Sequence, residues 1–145
     1  IIAGGDDEGY SKNLKLLITN YQLQGKVIFT GMIGGREKIA ALEESDVFVL
    51  TSYSENFSMA TVEAMYTKLP VVVTERVGVA SFVREYGAGI VTKKDETEIA
   101  SAITRILKDG NLKTSMGKAG RQLVEERFEM SKIAEQWMWA YQDLL

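Results

Sequence analysis

The sequence contains no cysteine and no histidine. Without cysteine there is no disulfide and no thiolate zinc site, which fits a reducing, cytoplasmic setting. Without histidine, any proton transfer falls to carboxylates, Lys or Tyr, or to groups supplied by another domain. Proline is nearly absent. The one present, Pro70, stands at the entry to a strand candidate, where a missing N–H does least harm. No apolar run approaches the roughly 18 residues that span a membrane, and no signal peptide is visible. There is no linker, repeat or low-complexity stretch. Charge of one sign is also lacking: 17 basic against 20 acidic residues give a net charge of -3. No basic stripe stands out, which argues against nucleic acid as a partner. Lys93, Lys94, Asp95 and Glu96 read as a solvated charge run.

What is present is the composition of an ordinary globular domain. The 145 residues are 46% apolar and 26% charged, enough for one core. Short β-branched runs at Ile1 to Ala3, Val27 to Thr30, Val47 to Thr51, Val71 to Thr74 and Ile90 to Thr92 read as strands. Their near-continuous apolar character suits parallel strands covered on both faces. Helical spacing appears at about Ser11 to Gln24 (Leu14, Leu17, Ile18, Tyr21), Arg36 to Glu44 (Ile39, Ala40, Leu42), Met59 to Lys68 and Ala80 to Tyr86. The alternation predicts a Rossmann-like α/β fold, a doubly wound parallel sheet with right-handed crossovers and helices on both faces.

A helical C-terminal tail follows. Asp95 with Glu98 makes a capping-box-like start, and Ile99, Ile103, Ile106 and Leu107 form a face ending near Gly110. Asn111 is a candidate cap for a helix carrying Leu112, Met116 and Leu123. Ser131 is a candidate cap for a last helix with Ile133, Trp137, Tyr141 and Leu144 on one stripe. That stripe reads first as core, and second as a patch exposed for another domain. Residue 1 is not Met, and Ile1-Ile2-Ala3-Gly4 reads as the end of a buried strand, so a piece of a longer chain is expected.

Ligands of open parallel sheets bind outside the carboxyl ends of the strands. Five loops qualify: Gly4 to Asp7, Gly31 to Gly35, Ser52 to Ser58, Glu75 to Val79 and Lys93 to Glu96. The glycine-rich pair lacks both the dinucleotide and the Walker spacing, so an oxidoreductase fingerprint is missing; Gly4-Gly5-Asp6-Asp7 reads more readily as a plain turn. The third loop carries more. A buried strand runs into polar residues, Glu55 among them, and a helix starts near Ser58. Its free N–H groups and dipole suit a phosphate. Glu63 lies about one turn inside that helix. A carboxylate matches a vicinal diol, so Glu55 and Glu63 beside an anion site suggest a nucleotide sugar, not the acid/base pair of a glycoside hydrolase. The plainer reading stays open, with Ser58 only an N-cap and Glu63 a solvated helix residue.

These residues resemble the group 1 (family 4) retaining glycosyltransferases, built of two facing Rossmann-like domains in the GT-B architecture. The motif is Glu-x7-Glu, here Glu55 to Glu63. It is preceded by Asp46-Val47-Phe48-Val49-Leu50-Thr51-Ser52 and followed by Glu63-Ala64-Met65 and Pro70-Val71-Val72-Val73-Thr74. Val27-Ile28-Phe29-Thr30-Gly31 and Gly87-Ala88-Gly89-Ile90-Val91 are also similar. The resemblance implies a nucleotide-sugar (donor) binding domain over residues 1–145. The domain's first strand and helix, and the N-terminal acceptor domain that would be its partner, then lie outside the sequence.

The resemblance also implies roles. Glu55 contacts the donor sugar and is the catalytic candidate. Glu63 holds the ribose hydroxyls. The backbone of Phe57, Ser58, Met59 and Ala60 cradles sugar and diphosphate, and the turn at Gly31, Met32 and Ile33 lies beside the nucleobase. The anomeric configuration would be retained, with a nucleoside-diphosphate sugar as donor substrate and no metal or other cofactor. Surface polysaccharide assembly is the commonest setting, and any peripheral membrane association would come from the missing domain. Alone, the chain is expected to be inactive and to bind donor no better than millimolar, because the family's diphosphate-gripping Arg and Lys precede Ile1. Departures from the family stand at Ser58 and Lys68, where Gly is usual, and at Ser81, where Glu is common. Serine is tolerable at 58 where its backbone angles are ordinary, and lysine at 68 carries a modest cost where the conformation is left-handed. Two readings stay beside this one: a nucleotide-sugar epimerase of the same shape, and a non-catalytic module that binds a nucleotide or a protein.

Overall fold

The computed structural model describes residues 1–6 and 9–142, so Asp7 of the first loop and Leu144 of the last stripe lie outside the described residues. The chain divides into two compact units, Ile1–Ile39 and Ala40–Leu145. In the first, β1 (Ile2–Ala3) pairs in parallel with β2 (Phe29–Gly31), joined through α1 (Ser11–Asn20). α1 stops four residues short of the expected end: Tyr21 closes it and Gln22 turns left-handed at φ 54°. The expected face of Leu14, Leu17, Ile18 and Tyr21 buries no residue fully, and Tyr21 is 71% exposed. α2 (Gly35–Glu43) follows, one residue earlier than expected.

The second unit holds the core. β3 (Phe48–Leu50), β4 (Val71–Thr74) and β5 (Gly89–Thr92) form a parallel sheet in the order β3-β4-β5. α3 (Met59–Tyr66) connects β3 to β4, and α4 (Ala80–Tyr86) connects β4 to β5. Side chains alternate across a strand, and β4 shows both faces covered. Val71 and Val73 pack with Met65, Val83 and Leu123, whereas Val72 packs with Ala102, Ile106 and Met116. All four residues of β4 are buried. That is the doubly covered α/β layer the patterning predicts. It is confined to β4; Val49 of the edge strand β3 is 37% exposed, and β1 and β2 are largely exposed. Pro70 serves the sheet through its carbonyl, which accepts from the Phe48 N–H at 3.0 Å.

The tail is helical, as expected, with two caps moved. Asp95 accepts from the Glu98 N–H at the start of α5 (Glu96–Lys108). The Glu98 carboxylate takes the Lys93 N–H, not that of the cap residue itself. The next cap is Asp109, not Asn111. Asp109 is extended, ends α5 and begins α6 (Gly110–Leu123), with its Oδ1 accepting from the Leu112 N–H at 2.9 Å. An aspartate three residues ahead of that N–H reaches it, whereas Asn111 is already inside the first turn. A π-helical turn, Val124–Phe128, joins α6 to α7 (Met130–Gln142). Ser131 is likewise inside its helix; the Glu129 carbonyl accepts from the Lys132 and Ile133 N–H groups. The stripe on α7 is not core. Ile133 is half-buried, but Trp137 and Tyr141 are each 60% exposed, with 6.0 Å between their ring centroids.

Lys68 follows α3 in the left-handed region at φ 63°. Its N–H bonds the Met65 carbonyl at 3.0 Å and the Leu69 N–H bonds that of Ala64 at 3.1 Å, a Schellman closure with Leu69 and Ala64 both in the core. A side chain there costs roughly 1–2 kcal/mol, and glycine in the unfolded chain gives back roughly 0.5–1 kcal/mol of that. Lys68→Gly is therefore expected to stabilise the chain by about 0.5–1 kcal/mol, read as a rise in the urea midpoint. A fall would mean that packing of the lysine stem outweighs the backbone strain.

Candidate functional site

β3 delivers the chain to the carboxyl edge of its sheet, and β4 fixes its exit: the Thr74 hydroxyl donates to the Ser52 carbonyl at 2.6 Å. Tyr53 follows, exposed, with the Lys94 ammonium over its ring. The hydrogen bond and charge of Lys94 hold the Tyr53 hydroxyl below the usual phenol range. The loops after β3 and after β5 thus meet at this edge, and the charge run at Lys93 to Glu96 is exposed as expected.

Glu55 is set by backbone. Its N–H donates to the Arg76 carbonyl at 3.2 Å, and its carbonyl accepts from the Gly78 N–H at 2.9 Å, a single parallel bridge opposite Val77. The Glu55 carboxylate is left exposed. Phe57 packs edge-on against Phe128, with 5.1 Å between ring centroids and 86° between planes. Ser58 is buried and left-handed, at φ 73° and ψ 79°. Its angles are not ordinary, so the condition set for a tolerable serine fails, and the family's glycine is explained. The serine offsets part of the strain by capping. Its Oγ accepts from the Thr61 N–H at 3.3 Å and lies 2.8 Å from the Thr61 hydroxyl.

α3 then presents one face to the core and its first two residues to solvent. Thr61, Val62, Ala64 and Met65 are buried, while Met59 and Ala60 are exposed. Ser58 takes the Thr61 and Val62 N–H groups, so it is the N–H groups of the exposed Met59 and Ala60, with the positive end of the dipole, that suit an anion. Glu63 stands in the second turn, half-buried and engaged in an interaction of its own. The structure therefore brings Glu55, Phe57, Ser58, Met59, Ala60 and Glu63 together on one loop and helix. Gly31, Met32 and Ile33 belong to the other unit, at the end of β2. Gly31 is left-handed at φ 67°, Met32 is 80% exposed and Ile33 is half-buried.

Two supporting residues were not legible as such. Gly78 sits in a loop that the fold rule points to, but its particular partner, Glu55, gives no local signal. Phe128 is far along the chain and reads as one more apolar residue of a helix. No helix among the described residues is long and apolar enough to cross a membrane.

With this geometry in view, the comparisons are specific. Residues 1–123 match the family model described as glycosyl transferases group 1. The human alpha-1,3/1,6-mannosyltransferase ALG2 is 29% identical over 142 residues, covering 94% of this chain and 34% of that protein. The sucrose-phosphate synthase structure from Thermosynechococcus elongatus superimposes with a TM-score of 0.86 at 29% identity, over 98% of this chain and 37% of that one. The Anabaena protein Alr3699/HepE, solved in complex with UDP-glucose, gives 0.85 at 23% identity, over 97% of this chain and 40% of that one. At that identity it bears on the fold alone. The chain spans about a third of the length of the relatives it matches.

Proposed function

This chain belongs to the group 1 glycosyltransferases, and from that premise we propose that it is the donor-binding domain of a retaining enzyme. That enzyme moves a sugar from a nucleoside diphosphate to a glycan or surface polysaccharide acceptor held by an N-terminal domain outside these residues. The observation that carries the reading is the Glu55 to Glu63 segment. A fixed glutamate, a buried left-handed serine and an exposed helix start follow one another at the carboxyl edge of a parallel sheet.

Each group has work suited to its chemistry. The first turn of α3, through the backbone from Phe57 to Ala60, receives the diphosphate, whose charge grows as the sugar leaves; N–H groups fixed in advance stabilise that growth without reorganising. Glu55 accepts from sugar hydroxyls and faces the positive charge that develops at the anomeric carbon. Glu63 accepts from the ribose diol. The turn at Gly31, Met32 and Ile33 is assigned to the nucleobase on the resemblance alone. No metal is called for in this scheme, since the helix end and the Arg and Lys that the resemblance places before Ile1 share the diphosphate charge. The setting we infer is cytoplasmic, and the 145 residues alone should be inactive, with millimolar or weaker donor binding.

Saturation-transfer NMR on the full-length protein, against UDP-, GDP- and ADP-sugars, tests this. One donor should bind, and Glu63→Ala should weaken it roughly 10–100-fold, the loss of charge-assisted hydrogen bonds to a diol. Wild-type protein that binds none of the three sinks the donor-domain reading and favours a non-catalytic module.

A further inference from the structure

The loop from Glu55 to Ser58 is held by two contacts distant in sequence. The loop after β4 is laid against it so closely that a Cβ at Gly78 would stand 1.8 Å from the Asn56 carbonyl oxygen and 3.1 Å from the Phe57 Cα. Only glycine fits, and the two hydrogen bonds of Glu55 depend on that approach. The second contact is Phe128, the last residue of the π-helical turn. Its ring lies between Phe57 and Phe82, both edge-on, at 5.1 and 5.3 Å. Leu123 and Val124, just before and at the start of that turn, are anchored in the core. A π turn carries one residue more than an α turn. In a helix without it, the same position would rotate by about 100° and take the ring off Phe57. π turns of this kind recur at functional sites.

We infer that Phe128 is a positioning residue for the donor-binding loop, acting through Phe57, with Gly78 as its backbone counterpart. This rests on the donor-domain reading for its consequence in catalysis, but not for its structural content. The π turn is then a working part. It sets the ring that backs Phe57, and Phe57 stands between the glutamate of the loop and the serine that starts α3. A local change in the π turn reaches the loop through this contact.

Two arms test it. The first needs no ligand. In Phe128→Leu, amide exchange at Glu55 and Gly78 should accelerate at least roughly tenfold beyond any change in the β4 amides, and in Phe128→Tyr it should stay as in the wild type. Equal acceleration of loop and core amides would overturn the inference, whatever the donor proves to be. If Phe128→Leu does not fold, wild-type protein decides: absence of cross-relaxation between the Phe57 and Phe128 ring protons overturns it equally. The second arm uses transfer by the full-length enzyme. Phe128→Leu should raise the donor KM and lower kcat, each roughly tenfold, and leave the acceptor KM alone; Phe128→Tyr should restore both. Simple loss of folded protein lowers apparent kcat with the donor KM unchanged, and that outcome would reduce Phe128 to a core residue. Loss of donor binding by the wild type would strike the donor-domain reading and leave the first arm standing.

Discussion

Gly117→Ala should destabilise the chain by about 3 kcal/mol, although helix propensity alone would have it stabilise. Gly117 is inside α6, where alanine in place of glycine is worth about 1 kcal/mol. The packing term is larger and opposite. A Cβ at Gly117 would stand 2.1 Å from the Lys68 carbonyl oxygen and 3.0 Å from its carbon, and both belong to backbone. That carbonyl cannot swing away, because Lys68 is the left-handed residue of the closure of α3 and leads directly into buried Leu69 and Pro70. The two helices must separate, and Met65, Leu69 and Leu123 lose contacts in the core that they share. Against a total stability of roughly 5–15 kcal/mol this is a severe change. Two neighbours on the same helix provide the scale. At Gly120 the nearest atoms are the Met65 Cβ and Cγ at 3.2 Å, a tight contact that a shift of a few tenths of an ångström relieves, and at Gly110 nothing lies within 4 Å. The urea midpoints should fall in the order Gly110→Ala, Gly120→Ala, Gly117→Ala. A midpoint at or above wild type for Gly117→Ala would mean that α6 and α3 are not in this contact.

The same helix shows what a sequence withholds. Read along the chain, Gly117 and Gly120 are weak points in a helix; only the approach of α3 makes them necessary. Local chemistry was legible wherever the deciding partner is a few residues away. β4 and α4 begin and end as read, because Pro70 and Gly87 punctuate them. Asp95 caps α5 because its acceptor and the Glu98 N–H are three residues apart. The same rule points two residues late, to Asn111 in place of Asp109, since Gly110 reads as a stop and is instead the first residue of α6. The aromatic period of α7 was read correctly as a stripe and wrongly as core, because the period records which side chains share a face and not what covers it.

Ser58 and Lys68 are the instructive pair for the site. Both stand where the resembling family has glycine, and both are left-handed. At Lys68 nothing in the backbone geometry repays the strain. At Ser58 the side chain contributes a cap, worth about 1 kcal/mol, close to the roughly 1–2 kcal/mol that the left-handed conformation costs. A serine at the mouth of α3 is thus nearly neutral for stability. What it changes is space: a buried hydroxymethyl group turned toward Thr61, beside the backbone assigned to the donor. The motif was readable because both glutamates and the helix start lie within one short segment. Its supports were not, because Gly78 and Phe128 act through contacts distant in sequence.

Glu55→Gln in the full-length protein is expected to lower kcat roughly 10²–10³-fold while donor affinity changes by no more than about threefold. The substitution keeps shape and removes charge. The hydrogen bonds that set Glu55 are made by its own backbone, its N–H donating to the Arg76 carbonyl and its carbonyl accepting from the Gly78 N–H, so the loop should remain in place. Glutamine still accepts from sugar hydroxyls, which preserves binding. What it lacks is the negative charge facing the anomeric carbon as the diphosphate departs. Removing one stabilising group of a preorganised site costs about that much in rate, and a group that acts only in the transition state lowers kcat and kcat/KM together. Glu63→Ala should do the reverse and weaken donor binding first, because the ribose diol is held equally before and during transfer. The pair of variants therefore separates the two glutamates by kinetics. If Glu55→Gln retains more than about a third of wild-type kcat, Glu55 has no part in the chemistry. If it loses binding and rate in proportion, it belongs with Glu63 as a donor clamp, and the catalytic charge must come from the other domain.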